Sequence, residues 1–237
     1  MRIALIGHGA MGQLVESQAR SAGDQIGAIL TSRDSASNAI EEMAAALEGH
    51  DVAIDFSVGN AVARNVEACV RAGVPLVEGT TGWKVDEAEV RRIVSEGDGA
   101  LIYGANFSIG VNIFYKIVSE ASKLMGQLDQ YGAFLEEQHH SRKRDVPSGT
   151  ALKLKELMAD HIKADIPVAV TRAGHIPGTH RVGFDSAADQ ITLAHTARSR
   201  AGFAAGALLA ARWIIRRKGV YEFSEVIDQI LDNDASV

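Results

Sequence analysis

Residues 2–12 read Arg2-Ile3-Ala4-Leu5-Ile6-Gly7-His8-Gly9-Ala10-Met11-Gly12, and this stretch decides the fold. Beyond Arg2 the run to Ile6 is apolar without alternation, which suits a strand covered on both faces, as parallel strands are. Three glycines follow at once in G-x-G-x-x-G spacing, and a helical pattern carries on to Gly23. Strand, glycine turn and helix form the first half of a βαβ unit. At such a junction the first glycine permits a tight turn, the second lets a pyrophosphate approach the backbone, and the third allows the helix to pack closely. Free amides and the macrodipole at the helix N-terminus then hold phosphates. A chain with 23 glycines throws up this spacing by chance, so the weight lies on its position between strand and helix. The bland alternative is a glycine turn with no ligand.

The same alternation continues outward. Further strands are expected at 25–30, 51–56, 75–78 and 100–103, with helical stretches at about 36–48, 60–72 and 85–96, and Gly73 followed by Pro75 closes the second of these helices. Five short strands with intervening helices predict an α/β fold, a Rossmann-like doubly wound parallel sheet. Two loops, Gly79-Thr80-Thr81-Gly82 and Gly104-Ala105-Asn106-Phe107-Ser108, follow the fourth and fifth strands. Ligands of open α/β sheets lie outside the carboxyl ends of the strands, so both loops are expected to face a dinucleotide. Read blandly, they are turns. The acidic residue that usually follows the second strand to bind a ribose 2′-hydroxyl is absent, because Leu30 leads into Thr31, Ser32 and Arg33. With no carboxylate to repel a 2′-phosphate, and with Ser32 and Arg33 to receive one, NADPH is expected to be accepted at least as well as NADH.

Composition bounds the partners. The 237 residues are 46% hydrophobic and 23% charged with a formal charge of −6, enough chain for a proper core and too acidic to favour a phosphate backbone as partner. Nucleic acid is therefore not expected. The single cysteine, Cys69, falls in a helical apolar pattern and reads as a core residue. The apolar run at the start is too short for a signal segment, and no stretch reaches the roughly 18 apolar residues that span a membrane. A soluble cytoplasmic protein is expected.

From 109 the pattern changes. A helix to about 125 leads to an alternating strand through Tyr131, Ala133, Leu135 and Glu137, and then to E-E-Q-H-H-S-R-K-R-D-V-P-S-G-T over residues 136–150. This sets His139, His140, Arg142, Lys143 and Arg144 against a Pro-Ser-Gly-Thr turn, a cationic pocket on an anionic chain that suits a small anionic ligand. If the strand ran on, His139 and His140 would point to opposite sides. If a loop began there, both would be freed. A helix with Leu154, Leu157, Met158 and Ile162 on one stripe follows, capped by Ser148, and its first amides near Gly149 and Thr150 suit a carboxylate. The histidines could act as acid or base, and a lysine crowded by cations makes a ready proton donor. A solvated charged edge is the bland reading. No metal is expected, since no carboxylate or cysteine sits at zinc-protease spacing. Strands at about 166–171, 180–185 and 189–195 complete a second α+β domain with a mixed or mostly antiparallel sheet. A helix at 202–216 returns the chain to the first domain, a stretch at 221–231 docks there, and 232–237 is expected to fray. The expected division is 1–105 with 203–237, and 106–202.

The motif E-x-H-H-x-x-K-x-D-x-P-S-G-T-A, here Glu137, His139, His140, Lys143, Asp145, Pro147, Ser148, Gly149, Thr150 and Ala151, resembles the signature of the 4-hydroxy-tetrahydrodipicolinate (dihydrodipicolinate) reductases of lysine and diaminopimelate synthesis. The resemblance covers nearly the whole chain, through G-x-G-x-x-G at Gly7, G-T-T at Gly79, A-N-F-S-x-G-V-N at Ala105, P-G-T-H at Pro177 and S-R-x-x-F-A-x-G-A at Ser199. It implies a first domain that binds NADPH or NADH through Gly7, His8, Gly9, Ala10, Met11, Gly12, Gly79, Thr80, Thr81, Ala105, Asn106 and Phe107. It implies a second domain for substrate binding and oligomerisation, with His139 as proton donor or acceptor and Lys143 as proton donor. His140, Ser148, Gly149 and Thr150 would contact a cyclic dicarboxylate, and the assembly would be a homotetramer. Thr31 and Ser32 stand where many members carry an acidic residue and an arginine. Two other readings compete: a reductase of similar architecture acting on another imine or carbonyl acid, and a dinucleotide-binding protein without turnover.

Overall fold

The computed structural model describes residues 1–31 and 40–234 and separates into two units, Met1–Ile109 with Ala201–Val237, and Gly110–Arg200. The expected βα alternation forms in the first unit as β1 (Arg2–Ile6), α1 (Ala10–Ser21), β2 (Gln25–Leu30), α2 (Ile40–Leu47), β3 (Val52–Asp55), α3 (Val62–Arg71), β4 (Leu76–Glu78), α4 (Glu87–Glu96) and β5 (Ala100–Tyr103). The expected helix at 36–48 is described from Ile40 onward; residues 32–39 lie outside the described residues.

The second unit carries α5 (Ile109–Met125), β6 (Gly132–His139), α6 (Gly149–Ala159), β7 (Val168–Arg172), β8 (Thr179–Asp185) and β9 (Gln190–Thr196). Its sheet runs in the order β7-β6-β8-β9. β8 is antiparallel to both its neighbours, while β7 lies parallel to β6, so the sheet is mixed. Strand alternation in β6 turns Ala133, Leu135, Glu137 and His139 to the buried side. There Ala133 and Leu135 join Phe114 and Val118 of α5 and Ala151, Leu154 and Met158 of α6 in one core.

The chain then returns as α7 (Ala201–Ile214), β10 (Gly219–Glu222) and α8 (Phe223–Asp234). The sheet of the first unit is wholly parallel, ordered β10-β5-β4-β3-β1-β2. Its sixth strand was not expected: β10 is four half-buried edge residues opened by Gly219, too short to carry an alternation. The end expected to fray from Asp232 instead stays helical through Asp234; 235–237 lie outside the described residues. Successive side chains of each strand feed opposite helical layers. Ile3, Leu5, Ile54 and Val77 pack with α1, α7 and α8, while Ala4, Ile6, Ala53 and Leu76 pack with α2, α3 and α4. A sheet buried on both faces accounts for the unbroken apolar runs in the sequence. Cys69 is enclosed in the second of these layers. Among the described residues no helix is long and apolar enough to cross a membrane.

Candidate active site

The strand order of the first unit reverses about β1, which is followed by β2 on one side and β3 on the other. The glycine turn lies at that switch point, where open α/β sheets bind ligands. Each glycine has its own local reason. Gly7 takes φ +85° and donates its N–H to Leu30 O at 2.8 Å, tying the turn to β2. A Cβ on Gly12 would stand 2.2 Å from Gly7 O, so only glycine lets α1 sit this close. Around a Cβ on Gly9 there is nothing within 4 Å, and α1 starts there with no side-chain cap. Open space before uncapped helix amides is a cradle that fits a dinucleotide pyrophosphate. His8 pairs with Glu16 through Nε2 at 2.7 Å, Ala10 is exposed, and Met11 packs against the core.

The loops after β4 and β5 differ in what they offer. Gly79 is pressed against Phe56, whose ring would lie 2.1 Å from a Cβ. Thr80 is buried with all its polar groups engaged: N–H to Glu78 Oε1 at 2.7 Å, carbonyl to Trp83 Nε1 at 2.9 Å, and hydroxyl to the Ser57 N–H at 3.0 Å. Thr81 is exposed. In the next loop Asn106 Oδ1 accepts from the Ser108 N–H at 2.9 Å, and Phe107 is buried against Phe223 with ring centroids 4.7 Å apart. The side chains of Thr80 and Phe107 thus hold their loops in shape. Ser32 and Arg33 fall outside the described residues.

In the second unit β6 continues through His139, so the two histidines part company. His139 lies on the inner face, 7% exposed, while His140 follows the strand and is half-buried. Two positions before His139 on that face, the Glu137 side chain is wholly enclosed. Its Oε1 receives Arg172 Nη2 at 2.5 Å, the Ser148 N–H reaches both its oxygens at 3.1 and 3.2 Å, and Oε2 also bonds Ser148 Oγ. Burial alone would raise this carboxyl, but the Ser148 and Arg172 hydrogen bonds outweigh it and hold the pKa below the usual range. Ser148 Oγ also meets His180 Nε2 at 3.1 Å and accepts from the Ala151 N–H at 3.2 Å, capping α6 as expected. The His139 and His180 rings stand edge to face with centroids 5.1 Å apart. Burial lowers the pKa of both, that of His180 to about 4. At neutral pH the two imidazoles are therefore uncharged.

Lys143, crowded by cations in sequence, has an anion beside it in space: its Nζ lies 2.9 Å from Asp145 Oδ2. Lys143 first, and to a smaller degree the Gly149 amide at the start of α6, hold the Asp145 pKa below its usual range. Gly149 is exposed with nothing within 4 Å of a Cβ, and Thr150 is half-buried. Arg142 and Arg144 are exposed. A carboxylate-binding corner is already formed here, with the Lys143 ammonium on a carboxylate in the turn that leads to the N-terminus of α6. His139 Nδ1 and His140 Nδ1 are both buried without a hydrogen-bond partner.

Sequence reading gave no part to Arg172, and none to Glu137 or His180 beyond their places in the quoted motifs. One signal was available: Glu137 falls in phase with Ala133 and Leu135, so alternation alone buries a carboxylate, and a buried carboxylate needs a partner. One ligand atom from each of Glu137, His139 and His180 lies within 4.8 Å of the others, close enough to invite a metal ion. The donor set does not fit one well, because Arg172 and Ser148 already occupy the carboxylate and a divalent ion would face the guanidinium.

A switch-point glycine cradle in one unit and a histidine–lysine corner over a helix N-terminus in the other define a nicotinamide-dependent oxidoreductase. Comparison with known proteins narrows the class. Family models described as dihydrodipicolinate reductase, N-terminus and C-terminus, match residues 1–107 and 110–227, and the chain belongs to the dihydrodipicolinate reductase family. The 4-hydroxy-tetrahydrodipicolinate reductase of Christiangramia forsetii is 37% identical over 98% of this chain and 100% of its own. That of Methanoculleus marisnigri is 37% identical over 75% of each. A dipicolinate-bound dihydrodipicolinate reductase from Paenisporosarcina sp. TG-14 shares the fold, with TM-score 0.81 at 20% identity over 95% of this chain and 99% of its own. The chain is an NAD(P)H-dependent oxidoreductase of lysine and diaminopimelate synthesis, its N-terminal region forming the dinucleotide-binding domain.

Proposed function

We propose that this chain reduces 4-hydroxy-tetrahydrodipicolinate with Lys143 as proton donor and His139 as a neutral imidazole beside it. Overall, substrate, NAD(P)H and one proton give tetrahydrodipicolinate, water and NAD(P)⁺. The cofactor supplies a hydride; the chain supplies the rest. Gly7, Gly9 and Gly12 seat the pyrophosphate, helped by Gly79, Thr81 and the backbone at 105–107. The amides of Gly149 and Thr150 at the start of α6, with His140, take a substrate carboxylate, and Ser148 holds that helix end in place. Domain roles follow, with 1–105 and 203–237 for the nucleotide and 106–202 for the substrate.

One observation carries this reading: the Lys143 ammonium already holds a carboxylate, that of Asp145, at 2.9 Å in the turn that leads to α6. The test follows the nicotinamide absorbance with the condensation product of pyruvate and aspartate semialdehyde. Turnover in the parent, lost in His139→Ala and Lys143→Ala while both still bind NADPH, is the expected result. Unchanged turnover in both variants would overturn the assignment, and nucleotide binding without turnover in the parent would leave a binding protein.

With Thr31 following β2 in place of a carboxylate, NADPH is expected to serve at least as well as NADH. A strongly lower Michaelis constant for NADH refutes that. The homotetramer is supported by apolar residues left exposed in the second unit, among them Ile117, Leu124 and Ile191, and light scattering gives the mass that tests it. Cytoplasmic residence fits this small-molecule chemistry, and fractionation of the source cells checks it.

A further inference from the structure

Asp55 and Glu78 end neighbouring strands β3 and β4 and stand opposite each other in the ladder. Both are 0% exposed, and by alternation they continue the face that Ala53 and Leu76 share with α3. Among the described residues no lysine or arginine pairs with either one. Two buried carboxylates this close cannot both ionise cheaply. Glu78 Oε2 is buried with no hydrogen-bond partner, and the Asp55 and Glu78 carboxyls lie close enough to shift each other's pKa. A proton on either carboxyl turns that orphan oxygen into one end of an O–H···O bond.

The groups facing the pair favour a single negative charge. Asp55 accepts from the Ser57 N–H and the Asn65 amide, each at 2.7 Å, and from the Thr80 hydroxyl at 3.4 Å. From α3 comes the buried Cys69 thiol, its pKa pushed up by burial and then by these two carboxylates. From β5 comes Tyr103, in register with Glu78, whose hydroxyl is held by Arg91 at 2.8 Å. Burial first, and then the neighbouring carboxylate, pushes the Glu78 carboxyl well above its usual range, while burial raises that of Asp55 less. The same hydrogen bonds fix Thr80 at its amide and hydroxyl, and a Cβ on Gly59 would lie 2.9 Å from Thr81 O, so the loops after β3 and β4 rest on each other.

We propose that Asp55 and Glu78 share one proton and brace the loop at 79–81, with Glu78 as a positioning residue for dinucleotide binding. The proposal rests on the reading that this loop meets the cofactor. One shared proton keeps the charge beneath the loop at a single unit, where two would repel an incoming pyrophosphate and drive the carboxyls, and with them Thr80, apart.

The experiment measures NADPH dissociation constants by nicotinamide fluorescence from neutral to alkaline pH, with kcat at saturating cofactor. The parent should lose affinity as pH rises. Glu78→Gln, whose amide donates permanently, should flatten that loss. Glu78→Ala should weaken NADPH about tenfold at neutral pH with kcat largely kept, and Glu78→Gln should recover most of the difference. Infrared spectra of cofactor-free protein should show a protonated-carboxyl band at neutral pH that Glu78→Gln and Asp55→Asn each remove. A flat parent profile, a Glu78→Gln profile like the parent's, parental affinity in Glu78→Ala, or absence of the band overturns the brace. Thr81→Glu separates the two levels: parental NADPH affinity in that variant sinks the placement of the cofactor on this loop, whereas weakened binding there with a parental Glu78→Ala sinks the brace alone.

Discussion

Arg172 Nη2 lies 2.5 Å from Oε1 of Glu137, a carboxylate whose side chain has no exposed surface. The pair joins β7 to β6 and brings a guanidinium beside the strand position of His139, its register partner. The same nitrogen donates to Asp145 O at 2.7 Å, so one side chain both neutralises the buried carboxylate and ties down the segment that carries Lys143.

Removing Arg172 leaves that carboxylate enclosed and unpaired. Arg172→Ala is expected to cost about 3 kcal/mol of stability, read by urea denaturation. Arg172→Leu with Glu137→Gln should recover much of it, because the uncompensated charge, not the lost pair, sets the cost. A single variant within about 0.5 kcal/mol of the parent would be the contrary result.

His180 gives a pH dependence of definite sign. Its pKa falls on folding from 6.5 to about 4, so between those values the unfolded chain binds more protons. Stability is then fully present above the unfolded pKa and is lost as pH falls through the window, by an amount on the order of 3 kcal/mol. His180→Gln should show a shallower acid loss of melting temperature than the parent. Parallel acid limbs would exclude His180 as the source.

The glycine turn separates binding from folding. Gly9→Ala, where the added carbon meets nothing within 4 Å, should weaken NADPH while leaving the melting temperature near the parent's. Gly12→Ala puts a carbon 2.2 Å from Gly7 O and should lower both, with a stability loss of about 1–3 kcal/mol. Fluorescence titration and thermal denaturation together decide it, and equal effects of the two variants would contradict these roles.

The turn and the histidine–lysine segment were legible because each is local: a few consecutive residues carry both the geometry and the chemistry. Glu137, Arg172 and His180 were not, since Arg172 joins the carboxylate across 35 positions and His180 meets Ser148 across 32. Only strand pairing in the mixed sheet brings them together, and β7 pairing parallel to β6 is what no hairpin signal announces. Lys143 shows the complementary limit. Neighbours in sequence suggested crowding by cations, whereas the turn folds Asp145 back onto its ammonium. The first-unit sheet was read except where β10 offered four half-buried residues and no period.

The last prediction concerns the proton. Burial lowers the His139 pKa, Lys143 and Arg172 lower it further, and Glu137 only partly offsets them, so the imidazole is neutral at working pH and Lys143 is the better donor. Lys143→Met should lower kcat by about 100-fold or more with NADPH affinity kept. In the parent, kcat/KM should fall on the acid side as His139 takes up a proton at a pH under 6.5, its ordinary value, because the proposed reaction uses the neutral imidazole beside Lys143. His139→Gln keeps a neutral polar group there and should lose that acid limb, with a lower plateau. A parent whose rate rises on acidification through this range would show instead that imidazolium, not ammonium, gives the proton, and the two roles would have to be exchanged.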